Sequence, residues 1–295
     1  MRKIHPAVRC LFILPAVLWF FAAVIVPVLM AVYYSFFSFF SWDGVTARVF
    51  IRFDNYRELF RDPVVWKSLT NSLKMAFWCV LLQLPIGMAF SVILFNRKLK
   101  GRGFFRTVYF LPVVLSSSMI GILWGQIYDP NFGLLNGLLE AVGLKQLQQI
   151  WLGDMKLALG CIIAVVVWQF IGNYILIYYT ALHNISEDVL ESARLDGAGV
   201  WKLFRYIELP LMWPVIRLTL ILATVNSLKY FDLVYIMSNG GPNHASEVLA
   251  SYVVKNAFNS MRIGYANTVA VLLLVLGIFF IILYNRILAP SSAGD

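Results

Sequence analysis

Polar side chains occur at helical spacing inside two of the most apolar stretches of the 295-residue sequence. Gln169 and Asn173 are four residues apart, and so are Asn226 and Tyr230. Residues at this spacing lie on one face of a helix. Amides and hydroxyls form hydrogen bonds with sugar hydroxyl groups, and aromatic faces pack against sugar C–H groups. The residues expected to line a substrate path are Gln169, Asn173, Tyr174, Asn226, Ser227 and Tyr230.

The same polar residues have a second interpretation, because amides often join one membrane helix to another. Lys229 and Asp232 raise a related question, since they are three residues apart in one of these stretches. An ionisable side chain deep in a membrane needs a partner. The spacing favours a structural ion pair between the two over a contact with substrate.

The sequence contains no pattern of catalytic or metal-binding residues. Its three histidines lie outside the apolar stretches, and its three cysteines lie in three different ones. That spacing suits neither a disulfide nor a zinc site. No Gly-x-x-x-x-Gly-Lys-Ser/Thr segment is present to bind ATP phosphates. We therefore expect no enzymatic activity, metal or bound cofactor in this chain.

The composition indicates a chain embedded in the lipid bilayer. Hydrophobic residues make up 60% of the sequence and charged residues 13%, against roughly 25% charged in soluble domains. A spanning helix needs about 20 apolar residues. The sequence predicts an all-α integral membrane protein with one transmembrane domain over residues 1–295. The six predicted spans are 10–37, 75–96, 107–128, 157–182, 213–237 and 265–287.

Basic residues predict the orientation of these spans. Residues 97–106 carry five basic and no acidic side chains, whereas residues 129–156 carry two basic and three acidic ones. Basic connections face the cytoplasm, so the first segment is predicted to be cytoplasmic and the second external. Both termini are then cytoplasmic. We attribute the net charge of +9 to topology and expect no nucleic-acid partner.

The cytoplasmic loop 183–212 holds a third of the acidic residues, five of 15. Ser186 is predicted to cap a helix that has acidic residues in its first turn. Gly197 can adopt the left-handed conformation that ends a helix. A second helical stretch is predicted to finish before Pro210. The loop is therefore a helix–turn–helix, interpreted as the docking site of a partner protein or as an amphipathic hairpin on the membrane surface.

The connection 43–74 is predicted to be the longest external one. Asp62 followed by Pro63 is typical of a turn that leads into a helix. Aromatic and leucine residues at helical spacing indicate short amphipathic helices on the outer surface.

One set of loop residues has a spacing that can be compared with known families: Glu191, Ser192, Ala193, Gly197, Ile207, Leu209 and Pro210. This set resembles the Glu-Ala-Ala loop of permease subunits of binding-protein-dependent ABC importers, with Ser192 and Arg194 in place of alanines. Other segments look like the carbohydrate-uptake branch, and in particular the larger maltose-permease subunit. They are Phe53-x-Asn55-Tyr56, Asp62, Asn71-Ser72-Leu73, Asn239-Gly240-Gly241-Pro242, Ala257-Phe258 and Gly264-Tyr265.

The resemblance covers nearly the whole chain and implies a MetI-like ABC permease fold with a cytoplasmic coupling helix. It implies a permease subunit that moves a sugar or oligosaccharide across the cytoplasmic (inner) membrane of a bacterium or archaeon. The implied partners are a second permease subunit, two ATPase subunits that use ATP and Mg, and an extracytoplasmic sugar-binding protein. The residues implied to contact the ATPase are Glu191, Ser192, Ala193, Asp196, Gly197 and Ala198.

A secondary, ion-coupled transporter is the alternative. It would need ionisable groups along an ion path, and the deep charged candidates are Lys229 and Asp232. No inverted repeat is visible in the sequence.

Overall fold

The computed structural model describes residues 6–40, 48–95 and 101–288, which are largely helical. The α-helices are α1 (Pro6–Phe20), α2 (Val26–Tyr34), α3 (Asp54–Arg61), α4 (Pro63–Phe95), α5 (Arg102–Val114), α6 (Ser117–Ile127), α7 (Leu134–Ala141), α8 (Ala158–His183), α9 (Glu187–Leu195), α10 (Val200–Leu203), α11 (Leu209–Leu211), α12 (Trp213–Lys229), α13 (Asp232–Ser238), α14 (Leu249–Val254) and α15 (Ile263–Ile287). The other helical turns are the π-helical Phe21–Ile25, Phe204–Glu208 and Lys255–Asn259 and the 3₁₀ turn Lys145–Leu147. Two short antiparallel strands, β1 (Phe37–Ser38) and β2 (Val49–Phe50), form a ribbon.

Five helical segments of the described residues are long and apolar enough to cross a membrane. They are Phe12–Tyr34, Pro63–Phe95, Ala158–His183, Trp213–Ser238 and Ile263–Ile287. Each coincides with a predicted span. The predicted turn at Asp62 is also present, since the Val64 amide donates to Asp62 Oδ1 over 2.8 Å. The helix that begins at Pro63 continues unbroken to Phe95. Of the predicted short helices in this connection, α3 is therefore separate and the rest of the connection forms the first turns of α4.

The third predicted span, 107–128, is a bent pair of helices, which makes a sixth span if the pair crosses the membrane as one unit. α5 and α6 meet at 98°. The bend lies at Leu115 and Ser116, which have extended ψ values of 145° and 142°. Ser116 Oγ accepts a hydrogen bond of 3.2 Å from the Met119 amide. A serine inside an apolar run thus offers the backbone an N-cap in place of a continuing helix.

Some of the residues on which the predicted orientation rests lie outside the described residues. These are both chain ends and, in the basic segment 97–106, the residues Arg97, Lys98 and Lys100. The start of the external connection, residues 43–47, also lies outside them.

The chain divides into two compact units, of which the first consists of Met1–Val65 and Tyr252–Leu274. Asn55 is buried in it, and its side-chain amide donates to the carbonyls of Ser35 (2.8 Å) and Phe37 (3.0 Å). A Cβ atom at Gly264 would collide with the Phe37 carbonyl. Asn55 and Gly264 therefore let the ribbon pack closely against α3 and the start of α15.

A half-buried carboxylate, Asp62, ties three segments of the first unit together. Asp62 Oδ2 accepts hydrogen bonds of 2.7 Å from the hydroxyls of Tyr252 and Tyr265. Burial raises the pKa of the Asp62 carboxyl, but the hydrogen bonds from Tyr265, Tyr252 and the Val64 and Val65 amides outweigh it, so the pKa lies below its ordinary value. Asp62 is therefore charged at neutral pH.

Replacing Asp62 with alanine is expected to lower the free energy of unfolding by about 3 kcal/mol at pH 7, because two hydrogen bonds to a charged acceptor are lost. The folded pKa lies below the unfolded one, so this stabilisation is complete above about pH 4 and is lost as the pH falls through the folded value. Thermal unfolding of the purified chain measures it. The control is Asp54→Ala, which removes an exposed ion pair with Arg57 and should cost less than about 1 kcal/mol. Equal losses in both variants would contradict the anchoring role.

The second unit consists of Trp66–Ser251 and Val275–Asp295. Its core is formed by α4, α6, α8 and α13, with Met75, Ile120, Ile162 and Leu233 completely buried. Gly172 lies where α5 crosses α8, and a Cβ atom there would collide with the Tyr109 carbonyl. Glycine at this position lets the two helices touch.

The loop after α13 is fixed to α4 inside the second unit. The Asn71 side-chain amide donates to the carbonyls of Ala245 (3.0 Å) and Glu247 (2.9 Å), and Ser72 Oγ accepts from the Leu249 amide (2.9 Å). The buried Glu247 carboxylate accepts from Ser251 and contacts His244. Asn71 and Ser72, which the sequence comparison singled out, are thus anchors of this loop.

Candidate functional site

The loop 183–212 contains the predicted short helix α9, which begins after Ser186. Ser186 has an extended ψ of 133°, as expected of an N-cap, but its side chain makes no capping hydrogen bond, so that part of the prediction was wrong. The first-turn residues Glu187 and Asp188 place negative charge at the positive end of the helix instead.

The end of α9 follows the prediction for Gly197, which has a left-handed φ of +80°. The Gly197 amide donates to the Arg194 carbonyl (3.1 Å) and the Ala198 amide donates to the Ala193 carbonyl (3.0 Å). These bonds satisfy carbonyls that the helix end would leave free. Glycine is favoured here because an L side chain is strained at this φ.

The helix–turn–helix holds together through a small apolar cluster. Leu190, Ala193 and Leu203 are buried in it, with Ile207 packed against them. Among the predicted ATPase-contacting residues, Ala193 therefore faces inward and Ala198 is half-buried. The exposed ones are Glu191, Ser192, Asp196 and Gly197.

The second helical stretch does not end before Pro210, so that prediction was wrong. It continues from α10 through the π-helical turn Phe204–Glu208 into α11, which contains Pro210. Proline has no amide hydrogen and its ring clashes with the carbonyl four residues earlier in an ordinary α-helix. The wider turn before Pro210 provides the space that a regular helix lacks.

Charges in this loop differ sharply in their surroundings. The Glu208 side chain is buried, and burial raises its pKa, an effect that the nearby Arg194 partly offsets. Glu191 is exposed and contacts no basic group within the described part of the chain. An exposed, unpaired carboxylate on a rigid helix is available for a charged contact with another protein.

A cavity of about 310 Å³ lies in the second unit between α4, α8, α12 and the start of α13. Its lining includes five of the six predicted substrate-path residues; Gln169 lies behind it. The lining residues are Gln83, Val166, Phe170, Asn173, Tyr174, Asn226, Ser227, Lys229, Tyr230, Phe231 and Asp232. Gln83 and Phe170 were not predicted to line it, although an amide inside an apolar span was a signal for Gln83.

A break in the span Trp213–Ser238 forms one wall of this cavity. α12 ends at Lys229, and Tyr230 is extended with ψ 127°. The break removes the shared helix face predicted for Asn226 and Tyr230 and for Lys229 and Asp232. Lys229 and Asp232 form no ion pair in the described chain, so that prediction was wrong, and both side chains line the cavity.

Hydrogen bonding divides the candidate residues into two groups. Gln169 is 1% exposed and its Oε1 accepts from the Tyr230 hydroxyl over 3.0 Å. This pair joins α8 to the break. Asn173 and Asn226 have no side-chain hydrogen bond within the described residues. Their amides are thus free to bind a ligand in the cavity.

Among the described residues, no group of three histidine, cysteine, aspartate or glutamate side chains is placed to hold a metal ion. The chemistry available in the cavity is hydrogen bonding, charge and aromatic packing.

This chain resembles known proteins in both sequence and fold. Residues 83–292 match the family described as "Binding-protein-dependent transport system inner membrane component". A relative from Bacillus subtilis (strain 168), named "Probable ABC transporter permease protein YurN", is 37% identical, with 90% of each chain covered. The "Trehalose/maltose transport system permease protein MalF" of Thermococcus litoralis (strain ATCC 51850 / DSM 5473 / JCM 8560 / NS-C) is 30% identical, with 82% of this chain and 81% of that one covered.

Among solved structures, one chain of a bacterial alginate ABC transporter, in complex with an alginate pentasaccharide-bound periplasmic protein, has a similar fold. Its TM-score is 0.81 at 19% identity, over 96% of this chain and 94% of that one. The fold is that of an ABC importer permease, as the sequence predicted. These findings exclude the ion-coupled secondary transporter, and they describe transport subunits and not enzymes. This chain belongs to the family of inner membrane components of binding-protein-dependent transport systems, as an ABC importer permease subunit.

Proposed function

We propose that the substrate of this permease is a sugar or short oligosaccharide that passes through the 310 Å³ cavity. The observation that carries the proposal is the pair of free amides, Asn173 and Asn226, at a break in a membrane span. Free amides can donate to and accept from sugar hydroxyls, and the aromatic residues beside them can pack on the sugar ring. The name of the Thermococcus litoralis relative, which refers to trehalose and maltose transport, supports this substrate class.

The proposed assembly pairs this chain with a second permease subunit, two ATPase subunits and an extracytoplasmic sugar-binding protein. ATP and Mg are used by the ATPase subunits. The alginate transporter, whose structure includes a substrate-loaded periplasmic protein, supports the binding protein as a partner. We place the assembly in the cytoplasmic membrane of a bacterium or archaeon, with residues 97–106, the loop 183–212 and both termini in the cytoplasm.

The proposed mechanism follows from how α9 is connected. α8 carries Asn173 and leads into α9, and the chain then returns through α12, which carries Asn226. Asn173 is ten residues before the end of α8, or about 15 Å along the helix. Movement of α9 on ATP-driven closure of the ATPase pair is therefore transmitted to two walls of the cavity. ATP and the loaded binding protein both favour the outward-facing state.

The experiment that tests the proposal is reconstitution of the complete complex in lipid vesicles. Binding protein loaded with a radiolabelled sugar is added outside, and ATP is trapped inside. We expect ATP-dependent sugar accumulation that requires the binding protein. Accumulation without nucleotide, or none with any sugar that the binding protein retains, would contradict the proposal.

Replacing Glu191 with alanine is expected to lower sugar uptake by about tenfold, because a charge-assisted contact contributes about 1.5–3 kcal/mol. Glu191 is exposed on α9, so the membrane fold should be unaffected. Uptake into vesicles and co-purification of the ATPase measure the effect. Asp188→Ala removes an equally exposed carboxylate one turn earlier and should leave uptake close to the unmodified level. Unchanged uptake in Glu191→Ala would overturn the docking assignment.

A further inference from the structure

A second and larger cavity, of about 560 Å³, lies in the second unit where α5 leaves the surface of α8. One end of this groove is the crossing at Gly172, where α8 touches the Tyr109 carbonyl of α5. From there the groove runs along Ile175, Leu176 and Tyr179 toward the end of α8 that leads into α9. Its volume falls in the usual range of ligand pockets, about 300–1,000 Å³.

The groove is apolar except at its mouth. Leu94, Phe110, Leu111 and Val114 contribute to its walls. Thr107 also lines it, but its hydroxyl already donates to the Gly103 carbonyl over 3.1 Å. Besides Arg106, the polar side chains of its lining are Thr107, Tyr109 and Tyr179, so the groove has hydroxyls but no amide like those of the sugar cavity. A hydrocarbon chain suits such walls better than a sugar does.

The mouth of the groove carries positive charge. The Arg106 guanidinium lies 5.9 Å from the centre of the Tyr179 ring, and no carboxylate pairs with it within the described ranges. Arg106 ends the segment 97–106, which has five basic and no acidic residues. A long apolar groove with a cation at the level of the membrane surface is complementary to a lipid with an anionic headgroup.

The outer surface of α5 supports a lipid environment. Phe104 is 70% exposed, Val108 45% and Phe105 41%, and none of the three lines the groove. Apolar side chains exposed along a helix at membrane depth are solvated by acyl chains. A lipid in the groove would extend this environment inward to the crossing at Gly172.

We infer that this groove binds one anionic phospholipid of the cytoplasmic leaflet, with its phosphate at Arg106 and an acyl chain between α5 and α8. The choice of leaflet rests on the orientation proposed above. The bound chain would lie against α8, the helix that joins the sugar cavity to α9, so that lipid composition would affect the helix that transmits the ATPase movement.

The test uses the complete complex in nanodiscs containing phosphatidylglycerol and phosphatidylcholine at a molar ratio of about 1:3. A photoreactive benzophenone amino acid replaces Thr107, and the adducts are identified by mass spectrometry. We expect lipid adducts in which the ratio of phosphatidylglycerol to phosphatidylcholine is about fivefold higher than in the bulk lipid, the preference that one basic residue near the surface provides. Arg106→Gln should return the adducts to the bulk ratio.

The matched control is Arg286→Gln, which removes an exposed arginine at the end of α15 that does not line the groove. Enrichment should persist in this variant. Three results would overturn the inference: adducts with another polypeptide, which would make the groove a subunit interface; adducts at the bulk lipid ratio; or equal loss of enrichment in both arginine variants. Nanodiscs carry phosphatidylglycerol in both leaflets, so the adduct ratio is independent of sugar transport and of the proposed orientation.

Discussion

Replacing Gly197 with proline is expected to abolish sugar uptake while leaving the chain inserted in the membrane. Gly197 has a φ of +80°, and proline is restricted to about −65°. The substitution also removes the amide that donates to the Arg194 carbonyl. Proline at this position would destabilise the end of α9 by about 3 kcal/mol. The affinity of α9 for the ATPase would then be about a hundredfold lower.

Gly199 provides a matched control two residues away. Its φ is −67°, which proline can adopt, and a Cβ atom there meets nothing within 4 Å. Gly199→Pro is therefore expected to retain most of the uptake. Both variants should give the same yield of folded protein from the membrane. ATP-dependent uptake and ATPase activity of the reconstituted complex are the measurements, and equal uptake in the two variants would refute a role for the left-handed turn.

Replacing both Asn173 and Asn226 with leucine should nearly eliminate sugar uptake while the complex still assembles and hydrolyses ATP. Both amides line the 310 Å³ cavity and have no side-chain partner in the described chain. Each lost hydrogen bond to a neutral sugar hydroxyl costs about 0.5–1.5 kcal/mol, so the pair lowers uptake by about tenfold to a hundredfold. The initial rate of uptake at low sugar concentration measures the effect.

The control for this variant is Asn267→Leu. Asn267 lies in a membrane-spanning helix, but its amide donates to the Ile263 carbonyl of the same helix over 2.8 Å. The same polar-to-apolar change should leave uptake unchanged there. A second comparison is Tyr230→Phe, which removes the hydrogen bond to Gln169. If Tyr230→Phe abolishes uptake and the double asparagine variant does not, the amides are packing residues and the cavity is not the sugar path.

The spans and the short helix α9 could be predicted because their signals are local. Five of the six spans are helical segments long and apolar enough to cross a membrane, and an apolar run of that length has few alternatives in a bilayer. Gly197 ends α9 because the left-handed conformation is a property of the residue itself. Proline at position 63 starts α4 for a similar reason, since its missing amide costs nothing in the first turn.

Three irregularities inside helical stretches were not predicted, for a common reason. The bend at Ser116, the π-helical turn before Pro210 and the break at Tyr230 each replace a regular helix over a few residues. Helical periodicity assumes an uninterrupted helix, so it placed Lys229 and Asp232 on one face. Because the helix breaks at Tyr230, the two side chains do not pair, and each lines the cavity.

The sequence by itself determined that this chain is a helical membrane permease whose short helix α9 ends at a glycine, because hydrophobic length, charge distribution and a left-handed glycine act within a few residues. Only the tertiary structure decided which polar residues are free. Gln169 on α8 and Tyr230 at the break after α12 satisfy each other, whereas Asn173 and Asn226 remain available. Hydrogen-bond partners separated by about 60 residues are selected by packing, and no local pattern encodes that choice.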